Sequence, residues 1–391
     1  MRIAIDLTAL MPEATGVDNY LINLVRHLAR IDHDNRYRIY VNYDDRYLFE
    51  GLLPSNFAVV PLCLRPRPVR LFFQQIVLPM AARIWDADVV HSPSFLMPRY
   101  RGRQRHLLTV YDMTFFSLPQ CHIPLRRSEL YQRSVLWSIR HADLVTVPSS
   151  FTQSQIHRFM PDLSHSRIRV TPPGIGPEFR LYPTADVHAA VTRLRLPLHY
   201  ILYVGTIEPR KNLTGLLESY RRLASKGETA DHLVLAGRLG WGYEELLNTL
   251  DTPILRDRVH LAGYVRQEDL PWFYAGAKLF VYPSLEEGFG FPPLEAMACG
   301  VPTISSRSSS LAENLEGAAE LVPPDDVDAL TLAMRRLLRD KSLRAQRADQ
   351  GVKRAAQFQW EDTARRTLNG YRALATMNAG EISALVRTNQ T

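Results

Sequence analysis

Two glutamates separated by seven residues, Glu287 and Glu295, bracket a turn with glycines at 288 and 290. An apolar run, 279–282, precedes the turn and reads as a strand. A helix follows, entered through Pro292 and Pro293 and stopped by Gly300-Val301-Pro302. A strand running through glycines into a helix start gathers backbone N–H groups, here those around Phe289, Gly290 and Phe291, at the positive end of a helix dipole. That is an anion site, most naturally for a phosphate. Carboxylates make poor phosphate ligands, so Glu287 in the turn and Glu295 in the first helical turn suit hydroxyl groups, such as those of a ribose and a hexose. A second constellation follows the apolar run 200–204: Gly205-Thr206-Ile207-Glu208-Pro209-Arg210-Lys211-Asn212. Gly205 lets a ligand approach the backbone, and Arg210 and Lys211 place two cations beyond it. With the helix start at Pro293 opposite, they form a clamp suited to a diphosphate. Each feature alone has a plainer explanation, a dipole partner for Glu295 and a solvated pair at 210–211. The rest of the chain decides between them.

Further loops carry possible ligand contacts. Gly237, Gly242 and Gly263 mark two turns after strands, where Gly237, Tyr264 and Val265 can receive a flat base. Gly16 and Val17 open a helix after the first strand, a further anion or substrate loop. His91 and the pair Tyr111-Asp112 fall at strand ends, and Ser149 follows another strand. A lone histidine is more often a satisfied structural residue than a catalyst. The chain lacks the G-x-G-x-x-G fingerprint, which argues against a nicotinamide enzyme. Asp86-Ala87-Asp88 resembles a metal-holding carboxylate pair but precedes its strand, so helix capping or strand opening is expected there, and no metal.

Positioning these loops requires alternating strands and helices. Expected strands cover 3–7, 38–43, 58–62, 89–91, 107–111 and 144–148, with helices over 18–29, 71–83 and 128–142. After a Pro- and Gly-rich boundary at 171–177 a second set begins, with strands at 200–205, 232–237, 259–262, 279–282 and 303–305. The alternation implies α/β architecture: two tandem, Rossmann-like, doubly wound parallel sheets, one over residues 1–175 and one over 176–360. Ligands then bind in the cleft between the carboxyl ends of the two sets of strands. The last residues to Thr391 read as a loose tail.

Composition bounds the alternatives. The 391 residues, 46% hydrophobic and 22% charged, are those of a soluble globular protein of two domains. The start reads as a strand, not a signal peptide. The longest near-apolar stretch, 69–85, is broken by Arg70, Gln74, Gln75, Pro79 and Arg83, too polar to span a bilayer. Cys63, Cys121 and Cys299 are too few and too scattered for a disulfide framework or a zinc cluster, which places the chain in the cytosol. Charge is asymmetric: residues 1–180 hold 22 Arg, no Lys and 15 acids, whereas the remainder holds 25 of each sign. The excess is densest between Arg65 and Arg140, interleaved with aromatics. This pattern fits an anionic membrane surface, a phosphate-bearing partner or a merely solvated face; nucleic acid is set aside because no nucleic-acid motif accompanies it.

These residues resemble the family 4 retaining glycosyltransferases, built from two Rossmann-like domains in the GT-B arrangement. Glu287-x7-Glu295 fits the family's E-x7-E signature, residues 205–212 fit its basic loop, and residues 358–377 resemble a terminal helix that returns to the first domain. The resemblance implies that Glu295 binds the ribose of a nucleotide-sugar donor, that Glu287 contacts the transferred sugar, and that the backbone of 289–291 meets sugar hydroxyls and phosphate. Arg210 and Lys211 would neutralise the leaving diphosphate. It also implies retention without a metal or other cofactor. Relatives commonly carry His-Asp where this chain has Tyr111-Asp112, so Asp112 is carried over, the role of Tyr111 stays open, and His91 is a candidate to compensate. The implied acceptor is a lipid-linked saccharide on a polyprenyl diphosphate at the inner leaflet, met by the basic first domain. The subtype resembles mannosyltransferases of O-antigen or exopolysaccharide synthesis, with GDP-mannose as donor and a UDP-sugar as the alternative. An epimerase of similar architecture or a non-catalytic nucleotide-sugar-binding scaffold are the competing readings.

Overall fold

The computed structural model describes residues 1–13, 15–121 and 125–376, with no side-chain description for 125–128 and Glu245. The expected tail, Met377 and the side chains of Arg126 and Arg127 lie outside that description. Seven strands form the first sheet: β1 (Arg2–Asp6), β2 (Arg36–Asn42), β3 (Phe57–Leu62), β4 (Val89–Ser92), β5 (Arg105–Thr109), β6 (Leu144–Val147) and β7 (Ile168–Val170). All pair in parallel, in the order β3-β2-β1-β4-β5-β6-β7. Ile3 stands opposite Tyr37 on one side and Val89 on the other. Six more strands form the second sheet: β8 (Tyr200–Val204), β9 (His232–Ala236), β10 (Val259–Gly263), β11 (Leu279–Tyr282), β12 (Thr303–Ser306) and β13 (Glu320–Val322), in the order β10-β9-β8-β11-β12-β13. Helices cover both faces. The central strands β8 and β11 are therefore apolar and inaccessible along nearly their whole length.

In each sheet the strand order reverses at one point, between β1 and β4 and between β8 and β11, where successive loops diverge and leave a crevice at the carboxyl ends. The chain crosses between domains twice. Gly174 packs so closely on the returning segment that a Cβ there would lie 2.1 Å from the Trp360 amide nitrogen. Ile175 N–H donates to the Phe358 carbonyl (3.0 Å). Helix Trp360–Thr376 then lies on the first domain, burying Trp360, Leu368, Tyr371 and Leu374 in the same core as Ile3, Leu21, Leu24 and Leu28.

Some elements differ from the sequence reading. The strand expected at 107–111 ends at Thr109, which leaves Tyr111 and Asp112 in the loop beyond it. The expected helix at 71–83 is longer, an unbroken run through Arg67–Phe72, a π-helical stretch Phe73–Val77 and Leu78–Ile84. Helix Ser150–Phe159 joins the set. Asp86 pairs with Arg2 and Arg103, while Asp88 accepts the Arg2 N–H (2.7 Å), so both pin the start of β1.

Candidate active site

Glu287 follows β11 and is 8% exposed. One of its oxygens, Oε1, accepts from Lys211 Nζ (2.6 Å), Ser284 Oγ (2.6 Å) and Tyr282 OH (2.9 Å). Its Oε2 meets Arg210 at 2.8 Å. Arg210 is fixed from the other side by Glu208 (2.7 Å) and the Glu286 carbonyl (2.7 Å). Two acids and two bases thus form one buried cluster of zero net charge. Burial pushes the Glu287 carboxyl upward, but Arg210 and Lys211 outweigh it and hold the group at about 2. Burial, with Arg210 alongside, lowers Lys211. Arg210 is driven the other way: burial works against its charge, and Glu287 and Glu208 overcome it. Of the three donors to Oε1, sequence reasoning anticipated only Lys211. Tyr282 read simply as a strand residue and Ser284 was given no role, although their spacing to Glu287 was visible.

Beyond Glu287 the backbone turns at Gly290 (φ +91°), which caps helix Phe291–Ala298. The N–H groups of residues 288–291 find no acceptor among the described residues. Four such donors, at a helix start and beside two cations, are what a phosphate requires. Glu295 lies in the second turn of this helix, one turn later than expected, because the helix opens at Phe291. It is buried and accepts from Tyr274 OH (2.8 Å). Burial raises its carboxyl to about 7, against the lowering effect of that hydrogen bond.

The strand-end glycines brace one another. Gly205 N–H donates to Ala236 O (2.9 Å), and Gly237 N–H to Gly263 O (2.7 Å). A Cβ on Gly237 would sit 1.9 Å from the Gly205 carbonyl, and φ there is +147°. Gly237 is thus required first by the packing of two loops. Gly205, Thr206, Gly237, Tyr264 and Val265 all line a cleft cavity of about 360 Å³ that also contains Arg210, Lys211, Glu287, residues 289–291 and Glu295. From the first domain Gly16, Val17, Tyr111 and Asp112 complete the walls. A Cβ on Gly16 would be 3.3 Å from the Phe291 ring, and one on Gly288 would be 1.9 Å from the Tyr111 carbonyl. The two domains are therefore in direct contact over the turn.

Tyr111 donates to Pro93 O (2.8 Å), and burial lifts its phenol well above the ordinary range. It is a neutral wall residue. Asp112 Oδ1 accepts from Thr114 N–H (3.0 Å) and Oγ1 (2.6 Å). His91 is a correction. The structure places it fully buried within the first sheet, not on the cleft, with Nδ1 at 2.8 Å from Tyr371 OH and Nε2 at 2.9 Å from Thr109 Oγ1. Burial lowers it to about 3, so the ring stays neutral and packed under the returning helix. The strand-end signal misled because β4 runs on to Ser92.

Residues 188–354 match the family described as Glycosyl transferases group 1, and residues 14–179 match Glycosyltransferase Family 4. An O-antigen chain mannosyltransferase B of Escherichia coli is 31% identical over 380 residues, 92% of this chain and 96% of that protein. The chain belongs to glycosyltransferase family 4. Sucrose-phosphate synthase from Thermosynechococcus elongatus shares the fold with a TM-score of 0.76 at 23% identity, over 95% of this chain and 98% of that one. Anabaena HepE in complex with UDP-glucose does so with a TM-score of 0.75 at 17% identity, over 95% and 100%. In this glycosyltransferase the E-x7-E pair therefore sits at the switch point of the second sheet, with both carboxylates on the interdomain cleft.

Proposed function

We propose that the enzyme transfers mannose, with retention, from GDP-mannose to a lipid-linked saccharide on a polyprenyl diphosphate in O-antigen or exopolysaccharide synthesis. The observation that carries the reading is the meeting of Arg210 and Lys211 with the unpaired N–H groups of residues 288–291 in one cleft. Charge grows on the leaving diphosphate as the glycosidic bond breaks, and prepositioned donors in a water-poor cleft stabilise that charge most. Glu295 is placed to accept the ribose hydroxyls and residues 289–291 to meet the sugar. Glu287 presents an Oε1 already served by three donors, so it contributes chiefly by holding the two cations in place. Retention follows from same-face attack in which a leaving-phosphate oxygen takes the acceptor proton. The nearby carboxylates Glu208 and Glu287 are engaged by Arg210 and Lys211, which supports a donor site that works without a metal. Mannose as the sugar is supported by the Escherichia coli relative.

The acceptor side has its own support. Helix residues Val69, Phe72, Ile76, Met80 and Ile84 form one exposed apolar stripe, Phe72 at 60% and Ile84 at 82% exposure. Among the described residues Arg67, Arg70, Arg83 and Arg99 make no ion pair, whereas Arg65, Arg101, Arg103, Arg105 and Arg140 are paired with acids. The basic surface is thus smaller than the sequence count and concentrated around the stripe, an arrangement for lying on the anionic inner face of the plasma membrane. No helix among the described residues is long and apolar enough to cross a membrane.

Thermal unfolding with GDP, UDP, ADP and dTDP, each with and without magnesium, tests the donor. A ligand at 100 times its Kd stabilises by about 2.7 kcal/mol. A rise with GDP alone, indifferent to magnesium, is expected; a rise with UDP alone replaces the donor, and no rise with any nucleotide removes the reading.

A further inference from the structure

Helix Ser150–Phe159 of the first domain starts at the domain boundary. The N–H groups of Ser150, Phe151 and Thr152 have no partners within the helix. Ser149 Oγ accepts from Thr152 N–H (3.1 Å). The other two are met from the opposite domain: Glu313 Oε1 accepts from Ser150 N–H and Oε2 from Phe151 N–H, both at 3.0 Å. Ser149 Oγ in turn donates across the boundary to Gly288 O (2.7 Å).

Glu313 belongs to helix Ser309–Leu315, and that helix also grips the donor turn. Ser309 Oγ accepts from Glu287 N–H (2.9 Å), Ser310 Oγ donates to Glu287 O (2.8 Å), and Asn314 Nδ2 donates to Phe289 O (2.7 Å). Ser309 is held at φ +52°, a conformation that costs a non-glycine residue energy and persists only where surroundings enforce it. From behind, Arg354 ties the Glu313 and Asn314 carbonyls to the last part of the second domain (2.9 and 2.8 Å). One short helix therefore touches the main chain of the phosphate-binding turn on one side and the first domain on the other.

We propose that Glu313 is a positioning residue that couples domain closure to the geometry of the donor turn. With the domains together, its carboxylate caps helix Ser150–Phe159 and, through Ser309, Ser310 and Asn314, holds the main chain of residues 287–289 so that the free N–H groups of 288–291 face the diphosphate. With the domains apart, two helix N–H groups and the carboxylate return to water, and the turn loses its brace from the first domain at Gly288. Transfer is then confined to the closed form, which protects the activated sugar from water. This inference rests on the transfer reading given above, but closure itself can be measured without it.

The test compares wild type with Glu313→Ala and Glu313→Gln in three readouts: kcat and KM for donor, Kd for the nucleoside diphosphate, and the radius of gyration by small-angle X-ray scattering. Hydrogen bonds to a charged acceptor contribute enough that kcat should fall roughly 10- to 100-fold in the alanine variant. The glutamine variant, which keeps one acceptor oxygen, should fall less. Nucleotide Kd should weaken far less than kcat falls, because Arg210, Lys211 and Glu295 are untouched and the turn keeps its bonds to Ser309, Ser310 and Asn314, while the radius of gyration increases. Unchanged kcat with unchanged scattering would overturn the proposal. So would a loss of nucleotide affinity in proportion to kcat together with a lowered Tm, since that marks a structural role. If wild type transfers no sugar, the function reading fails, and scattering alone decides whether Glu313 holds the domains closed.

Discussion

Replacing Glu287 with alanine leaves Arg210 with Glu208 and Lys211 with no carboxylate among the described residues, changing a buried neutral cluster to a net charge of +1. The Lys211 side chain is only 9% exposed, so water cannot take over. Breaking a buried pair by removing one partner costs about 3–5 kcal/mol. For a unit of the second domain's size each kcal/mol corresponds to roughly 2–4 °C, so Tm should fall by roughly 6–20 °C. The effect must also follow pH. The Glu287 carboxyl is held at about 2 in the folded chain against 4.5 ordinarily, so its stabilisation is complete above about pH 4.5 and is lost as pH falls toward 2. The gap in Tm between wild type and variant should close over that interval. Inorganic pyrophosphate supplies the missing anion, so it should raise the variant's Tm more than the wild type's. Calorimetry across pH with and without pyrophosphate is the assay. An alanine variant that melts with wild type at pH 7, or gains nothing extra from pyrophosphate, would refute the view that Glu287 holds the cation pair.

Glu295, raised to about 7 by burial, keeps its proton after the unfolded chain has lost it, so it costs stability as pH rises from about 4.5 to 7. Glu295→Gln should remove that slope and, on the proposed ribose contact by the ionised form, should flatten the tightening of nucleotide binding that titration calorimetry is expected to show between pH 6 and 8. His91 resists protonation down to about 3, so wild type should lose stability below about pH 6.5, where the unfolded chain gains a proton. His91→Phe should weaken that acid limb in urea unfolding while leaving nucleotide Kd unchanged; a changed Kd would return His91 to the cleft. Phe72→Glu with Ile84→Glu should abolish sedimentation with vesicles containing phosphatidylglycerol while preserving nucleotide binding, and retained sedimentation would exclude the stripe as the membrane face.

The parallel architecture was legible because strands buried on both faces are nearly all apolar, as 200–204 and 279–282 are. The glycine-to-proline turn at 288–293 was legible because so few residues can fold that way. What sequence could not supply were contacts made between loops. Gly237 read as a ligand-facing glycine and does line the cleft, but its backbone is also pressed against Gly205, which the sequence did not show. Helix Ser150–Phe159 has a weak apolar pattern, since chiefly Ile156 is buried along with Thr152, and its start depends on Glu313, 163 residues away. The arginine count overstated the free basic surface because Asp44, Asp45, Asp86, Asp143 and Asp162 approach it only in three dimensions.

Mass spectrometry of a short polyprenyl-diphosphate saccharide incubated with the enzyme and either GDP-mannose or UDP-sugars, followed by NMR of the new anomeric centre, tests the central claim most directly. The account predicts the addition of one hexose from GDP-mannose, in α linkage, lost when Lys211 is replaced by alanine. Addition only from a UDP-sugar, or a β-linked product, would contradict it.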